Sequence, residues 1–238
     1  PLGHSFSKSY FESKFENEKI TAEFLNFELQ NIAHFPQVLR ENSNLKGLSV
    51  TIPYKEKIIP FLTEIDESVK EIGAVNSIKI TQKGNLIGYN TDYYGFGKSL
   101  DEFLPSTNLK ALILGTGGAS KAVSYALKLR NIPYKFVSRT PNAEQFAYED
   151  LNANILQKYQ LIINTTPLGT FPNTATFPKI PYEFLTASHF LFDLVYNPEE
   201  TAFMRKGKKM GAKVQNGYDM LVYQAERSWD IWNGSVGK

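Results

Sequence analysis

Leu112-Ile-Leu-Gly-Thr-Gly-Gly-Ala-Ser120 is the stretch on which the fold turns. An apolar run of strand character enters Gly115-Thr116-Gly117-Gly118-Ala119, and a helical pattern leaves it. Such a turn suits a phosphate: Gly115 permits the tight bend, and Gly117 lets a pyrophosphate approach the backbone at the positive end of the helix. The pattern's sixth position is Ser120 where Gly or Ala is usual, so the turn is a variant. A plain strand-to-helix connection is the other reading of the same glycines.

Working outward, short apolar runs at 111–114, 135–137, 161–164 and 190–194 alternate with segments of helical pattern, the last followed by a helix at 201–210. Continuous apolar strands joined by helices predict a parallel sheet covered on both faces. The end of the second strand bears on the cofactor. An NAD site places an acid about 20 residues after the glycines. Here the segment is Val137-Ser138-Arg139-Thr140, without an acid. A guanidinium can fork onto a 2′-phosphate that a carboxylate would repel, which favours NADP; a solvated arginine at a strand end is the alternative.

The first half predicts strands at 22–28 and 46–50, helices at 7–18, 31–41 and 53–62, and a hairpin of 75–80 with 86–89. A helix at 92–103 is a candidate bridge. With no repeats and no Pro/Gly/Ser linker, the chain reads as two α/β domains in contact, with a cleft between them.

Bulk properties narrow the chemistry. The 238 residues are 42% hydrophobic with a net charge of +2, which supplies cores and gives no argument for nucleic acid. No apolar run is long enough for a membrane helix and no signal peptide is visible, so a soluble, cytoplasmic protein is expected, although the chain starts at Pro1 rather than Met. Cysteine is absent, which removes thiolate chemistry and fits a reducing compartment. His4, His34 and His189 lack metal spacing, and no Gly-x-Ser-x-Gly elbow occurs, so no metal and no serine nucleophile are expected. The cluster Arg205-Lys206-Gly207-Lys208-Lys209 reads as the cationic end of a helix.

Acid/base work then falls to lysine, aspartate or tyrosine. Ser49-Val-Thr-Ile-Pro-Tyr-Lys55 and Gly88-Tyr-Asn-Thr-Asp92 set a lysine and an aspartate at strand ends that feed helices, among hydroxyls and amides. Singly, Lys55 reads as a surface lysine and Asp92 as a helix cap; together they form a candidate pair. Ser5 and Ser7 can cap the first helix or hold a carboxylate at its N-terminus.

These residues, in this order, resemble the shikimate dehydrogenase family. The likeness also runs through Pro1-Leu-Gly-His-Ser-Phe-Ser7, Gly73-Ala-Val-Asn76-Ser, Ser138-Arg-Thr140, Ile163-Asn-Thr-Thr-Pro167, Asp193-Leu-Val-Tyr-Asn-Pro198 and Gly217-Tyr-Asp-Met-Leu-Val-Tyr-Gln224. It implies an α/β chain with a substrate domain at 1–91 and 217–238 and a Rossmann-like, doubly wound NADP domain at 92–216. The implied reaction is reversible NADPH-dependent reduction of 3-dehydroshikimate to shikimate, by a monomer or homodimer acting on a small molecule. The rivals are an NAD-linked quinate/shikimate dehydrogenase and a non-catalytic dinucleotide-binding sensor.

By the same resemblance, Ser5 and Ser7 bind the substrate carboxylate with Tyr196 nearby, while Thr51, Asn76 and Gln224 hold ring hydroxyls. Lys55 protonates the C3 oxygen and Asp92 bonds lysine and substrate. Gly115, Thr116, Gly117, Gly118 and Ala119 cradle the pyrophosphate, Ser138, Arg139 and Thr140 meet the adenosine end, and Leu194 and Gly217 sit at the nicotinamide. Departures are Ser49 for asparagine, Ala143 for a second basic residue and Thr170 for methionine. The family's first strand would lie ahead of Pro1.

Overall fold

Ser5 opens the first element by accepting the Lys8 N–H at 3.3 Å, which caps helix α1 (Phe6–Asn17). The structure is a computed structural model that describes residues 5–234. The described residues divide into two compact units, one running to Thr91 and resuming at Gln224, the other spanning Asp92–Tyr223.

In the first unit α1 is followed by α2 (Phe35–Glu41), β1 (Gly47–Ser49), β2 (Glu64–Ile65), α3 (Glu67–Ile72), β3 (Ser77–Ile80) and β4 (Leu86–Tyr89). The sheet order is β1-β3-β4-β2, with β3 antiparallel to both β1 and β4 and β2 parallel to β4. The expected hairpin is present. Its register sets Ser77 opposite Tyr89, and the Asn76 N–H adds a bond to the Tyr89 carbonyl at 3.0 Å. Asn76 and the residues after Tyr89 therefore leave the sheet side by side.

Two expected elements are absent among the described residues. Residues 22–28 form no strand. Phe24 packs with Phe11 and Phe15 while Leu25 stays exposed, but the segment pairs with no strand of either sheet among the described residues, so its alternation has no ladder to join. Residues 53–62 form turns and one short 3₁₀ turn, Ile59–Phe61, rather than a helix. The Lys55 carbonyl, which a helix would give to the Ile59 N–H, accepts the Val75 N–H at 2.8 Å; Ile59 turns to the Glu56 carbonyl at 3.4 Å. A tertiary bond displaces the local ladder, and Pro53 and Pro60 cannot donate to one.

The second unit runs α4 (Asp92–Phe103), β5 (Ala111–Leu114), α5 (Gly118–Leu129), β6 (Tyr134–Ser138), β7 (Phe146–Ala147), α6 (Ala153–Lys158), β8 (Leu161–Asn164), β9 (Phe190–Asp193), α7 (Ala202–Lys209), β10 (Lys213–Gln215) and α8 (Tyr218–Asn233). Every strand pair is parallel, in the order β10-β9-β8-β5-β6-β7. The chain winds outward from β5 in one direction and then in the other, so the order reverses between β5 and β8. Both faces are buried: Ala111 and Ile113 enter one core with Phe96, Val123 and Leu127, while Leu112 and Leu114 enter the other with Leu156, Phe203 and Met204. This is the doubly wound sheet the apolar runs predict. The short edge strands β7 and β10 carry too little pattern to be read in advance.

The basic cluster closes α7, with Lys206, Lys208 and Lys209 in the last turn. Helix α8 is shared. Met220 packs in the second unit's core, and Ala225, Trp229 and Trp232 pack with Phe11 and Phe15 of the first. The two compact units accordingly part at Tyr223/Gln224, inside the helix.

Candidate active site

At the carboxyl end of β5, Gly115 donates its N–H to the Val137 carbonyl at 2.9 Å and takes a φ of 102°. A Cβ there would lie 3.0 Å from Thr166 Cγ2 and 3.1 Å from Thr165 Oγ1, so both conformation and space require glycine. Gly117 precedes α5 without a side-chain cap, and a Cβ on Gly117 or Gly118 would meet nothing within 4 Å among the described residues. The start of α5 thus borders open space beside the exposed Thr116 and Ala119. Ser120, the variant residue, is buried and donates to the Gly117 carbonyl at 2.7 Å. It braces the turn from behind and leaves the ligand side clear. The residues present fit a dinucleotide pyrophosphate.

The neighbouring β6 ends at Ser138, whose buried hydroxyl accepts the Thr140 N–H at 3.2 Å and shapes the turn on which Arg139 and Thr140 are exposed. Burial pushes the Tyr148 hydroxyl up from its ordinary pKa, and the Arg139 charge opposes that rise. Arg139 therefore lies within electrostatic reach of Tyr148, at the rim beyond β6.

Beyond β9 a tighter arrangement appears. A Cβ on Gly217 would lie 2.2 Å from the Leu194 carbonyl oxygen, and the Gly217 N–H bonds the Val195 carbonyl at 3.2 Å. Leu194 and Gly217 are thus locked together, backbone against backbone. Asp193 anchors this corner. Its Oδ1 accepts from Asn164 Nδ2 at 2.9 Å and the Val195 N–H at 3.1 Å, and its Oδ2 accepts the Thr201 hydroxyl at 2.6 Å. Burial pushes its carboxyl up to about 6, and the bonds from Thr201, Val195 and Asn164 limit the rise. Asn164 also accepts from Thr166 through N–H and hydroxyl, at 3.0 and 2.7 Å. The loops after β8 and β9 are therefore pinned to one buried carboxylate. Asp193 and Asn164 carry no site role in the sequence reading, because nothing in their blocks distinguishes an anchor from a strand end.

In the first unit, Asn76, Thr91, Gln224 and Ser228 form a buried polar cluster. Asn76 Nδ2 donates to Thr91 Oγ1 at 2.9 Å and to Gln224 Oε1 at 3.3 Å, and Asn76 Oδ1 accepts the Thr91 N–H at 2.6 Å. Thr91 Oγ1 lies 3.0 Å from Ser228 Oγ. Asn76 and Gln224, 148 positions apart, are brought into hydrogen-bond contact. The 50–55 loop is tied beside them: the Val50 N–H bonds the Asn76 carbonyl and the Val75 N–H bonds the Lys55 carbonyl, each at 2.8 Å. Thr51 is exposed and Lys55 half-buried on that loop. Lys55 follows turns, not a helix start.

Ser5 caps α1 and Ser7 lies in its first turn, both half-buried; the rest of the 1–7 block lies outside the described residues. Asp92 is the first residue of α4, half-buried, where a carboxylate favours the helix dipole. Tyr196 is exposed on the loop after β9. His189 is structural: its Nδ1 accepts the Thr186 N–H at 3.0 Å and its Nε2 meets the Leu156 carbonyl at 2.9 Å. Among the described residues no group of three or more His, Cys, Asp or Glu is placed to hold a metal.

Residues 1–78 match the family model described as shikimate dehydrogenase substrate binding domain. A curated relative from Methanococcus vannielii, named shikimate dehydrogenase (NADP(+)), is 35% identical over 255 residues, covering 98% of this chain and 89% of its own. The chain belongs to the shikimate dehydrogenase family. Among solved shikimate dehydrogenases, the Thermus thermophilus enzyme in complex with NADP(H) and shikimate superposes with a TM-score of 0.86 at 28% identity, over 98% of this chain and 90% of that one. A chorismate mutase/shikimate 5-dehydrogenase fusion protein from Clostridium acetobutylicum gives a TM-score of 0.88 at 36% identity, over 98% and 88%. The shikimate dehydrogenase blocks thus map onto the glycine turn, the β6 and β9 ends and the Asn76 cluster. Ser228 is the member of that cluster that the blocks leave out.

Proposed function

We propose that this chain is an NADP-dependent shikimate dehydrogenase that reduces 3-dehydroshikimate to shikimate, reversibly, in aromatic amino-acid synthesis. The observation that carries the reading is the near full-length likeness to curated enzymes of that name, at 35% identity for the Methanococcus vannielii relative. The geometry supports the reading. The second unit, 92–223, is the cofactor domain, and the first, with Gln224 returned to it by α8, is the substrate domain. The α5 N-terminus takes the pyrophosphate, Arg139 takes the 2′-phosphate with Ser138 and Thr140, and the Leu194–Gly217 corner borders the nicotinamide.

When bound, NADPH supplies the hydride equivalent. Ser5 donates its hydroxyl proton to the substrate carboxylate while its lone pair holds the Lys8 N–H, so capping and binding use different parts of one group. Ser7 and Tyr196 complete that end. Thr51, Asn76 and Gln224 hold the ring hydroxyls. Lys55 donates a proton to the C3 oxygen as negative charge gathers there, which stabilises charge present only in the transition state. Asp92 orients the ammonium and the hydroxyl. We place the enzyme in the cytoplasm as a monomer or homodimer; among the described residues no helix is long and apolar enough to cross a membrane.

Incubating the protein with shikimate and NADP⁺ and identifying the product by mass spectrometry tests the reading. Formation of 3-dehydroshikimate with stoichiometric NADPH is expected. A protein that binds NADP⁺ and leaves shikimate unchanged would instead be the dinucleotide-binding sensor.

A further inference from the structure

We propose that Ser228 is a positioning residue that holds, through the Thr91 hydroxyl, the amides of Asn76 and Gln224 in one orientation, so that Gln224 meets a ligand as a hydrogen-bond donor. The inference rests on the substrate role given above to Asn76 and Gln224.

Two obligate groups set the polarity of the cluster. The Thr91 backbone N–H can only donate, so the Asn76 atom 2.6 Å from it is the oxygen, and Nδ2 lies on the other side. Nδ2 can only donate, so the Gln224 atom it meets at 3.3 Å is Oε1, and Gln224 turns Nε2 away from Asn76. At the other end, the Gln224 backbone carbonyl can only accept, and it takes the Ser228 hydroxyl proton at 3.0 Å, one helical turn along α8.

A hydroxyl has one proton. With that proton committed to the carbonyl, Ser228 Oγ accepts from the Thr91 hydroxyl at 3.0 Å, and Thr91 Oγ1 is left as the acceptor for Asn76 Nδ2 at 2.9 Å. The result is a directed relay from Asn76 Nδ2 through Thr91 and Ser228 to the Gln224 carbonyl. Thr91 Oγ1 also lies 3.3 Å from Asn76 Oδ1 and 3.4 Å from Gln224 Oε1. Those are the acceptors its proton would seek without Ser228. Thr91 would then compete with Asn76 for Gln224 Oε1, and the amide orientation would loosen. Thr91 and Ser228 are both buried, so water is poorly placed to replace the lost bond.

The expected consequence is specific to the substrate half of the reaction. Ser228→Ala should raise KM for shikimate about 3- to 10-fold, the range of one neutral hydrogen bond, and leave KM for NADP⁺ within about 2-fold. Thr91→Val should do at least as much, and the double variant Thr91→Val/Ser228→Ala no more than Thr91→Val alone, because both lie in one relay. A purely structural Ser228 would lower the melting temperature while leaving the two KM values in proportion, or give effects that multiply; either result overturns the proposal.

A second measurement does not depend on turnover. NMR of the wild-type protein should show a slowly exchanging Thr91 hydroxyl proton with a nuclear Overhauser contact to Ser228, and Ser228→Ala should shift the side-chain NH₂ signals of Asn76 and Gln224. If the wild-type protein does not oxidise shikimate, the proposed reaction fails while this spectrum still decides the relay. A rapidly exchanging Thr91 hydroxyl, or unmoved amide signals in the variant, would overturn it.

Discussion

Replacing Asp193 with asparagine should remove a pH-dependent destabilisation that can be sized from its surroundings. Burial raises the folded-state carboxyl from the usual 3.8 to about 6, against three hydrogen bonds that favour the anion. The folded chain therefore holds the proton more tightly than the unfolded chain. The stabilising contribution of the neutral acid is complete below about pH 4, is lost as pH rises through about 6, and is constant beyond. A rise from 3.8 to about 6 corresponds to about 3 kcal/mol. Asparagine resembles the neutral acid: its oxygen can keep the Val195 N–H and Asn164 bonds, while the Thr201 hydroxyl loses an acceptor at a cost of about 1 kcal/mol at every pH. Urea unfolding of both proteins, followed by circular dichroism between about pH 4 and about pH 7, is the assay. Asp193→Asn should be slightly less stable at the acid end and about 2 kcal/mol more stable at the neutral end. Stability curves that run parallel across that range would refute the assignment of the shift to Asp193.

Three further outcomes follow from the site. Lys55→Ala should lower kcat by on the order of 10²–10⁴, the usual contribution of a placed acid, in steady-state assays; near-normal turnover would remove lysine from the mechanism. Arg139→Ala should raise KM for NADPH roughly 10- to 100-fold and leave NADH almost unaffected, as loss of a charge-assisted contact to a 2′-phosphate requires; equal effects would sink that contact. Gly217→Ala sets a Cβ 2.2 Å from the Leu194 carbonyl oxygen and should cost about 1–3 kcal/mol in thermal unfolding, with a higher KM for NADP⁺; an unchanged midpoint would show that the corner is not locked.

The second unit was largely legible because its strands are buried on both faces. Ala111–Leu114 and Leu161–Asn164 read as continuous apolar runs, and the glycine turn follows β5 as the pattern requires. The first unit was less so. Residues 53–62 carry a helical pattern, yet the bond from Val75 to the Lys55 carbonyl is tertiary and leaves no trace in local sequence. The strand predicted at 22–28 is absent for a similar reason: pairing is tertiary, and the segment joins neither sheet among the described residues. At the proposed site, Asn76 and Gln224 are named through their blocks, whereas Ser228 is one turn of helix beyond the last block and declares itself only through its contact with Thr91. The anchoring role of Asp193 leaves no mark in its own block, since it depends on Asn164 and Thr201 arriving at the same corner.

The proposed reaction is hydride transfer between NADP(H) and shikimate. The most direct test compares kcat/KM, by nicotinamide absorbance, for shikimate and quinate with NADP⁺ and with NAD⁺. The highest value should belong to shikimate with NADP⁺, at least about 10-fold above shikimate with NAD⁺, as one charge-assisted contact from Arg139 implies. A preference for NAD⁺, or no reduction of either nucleotide with shikimate, would contradict it.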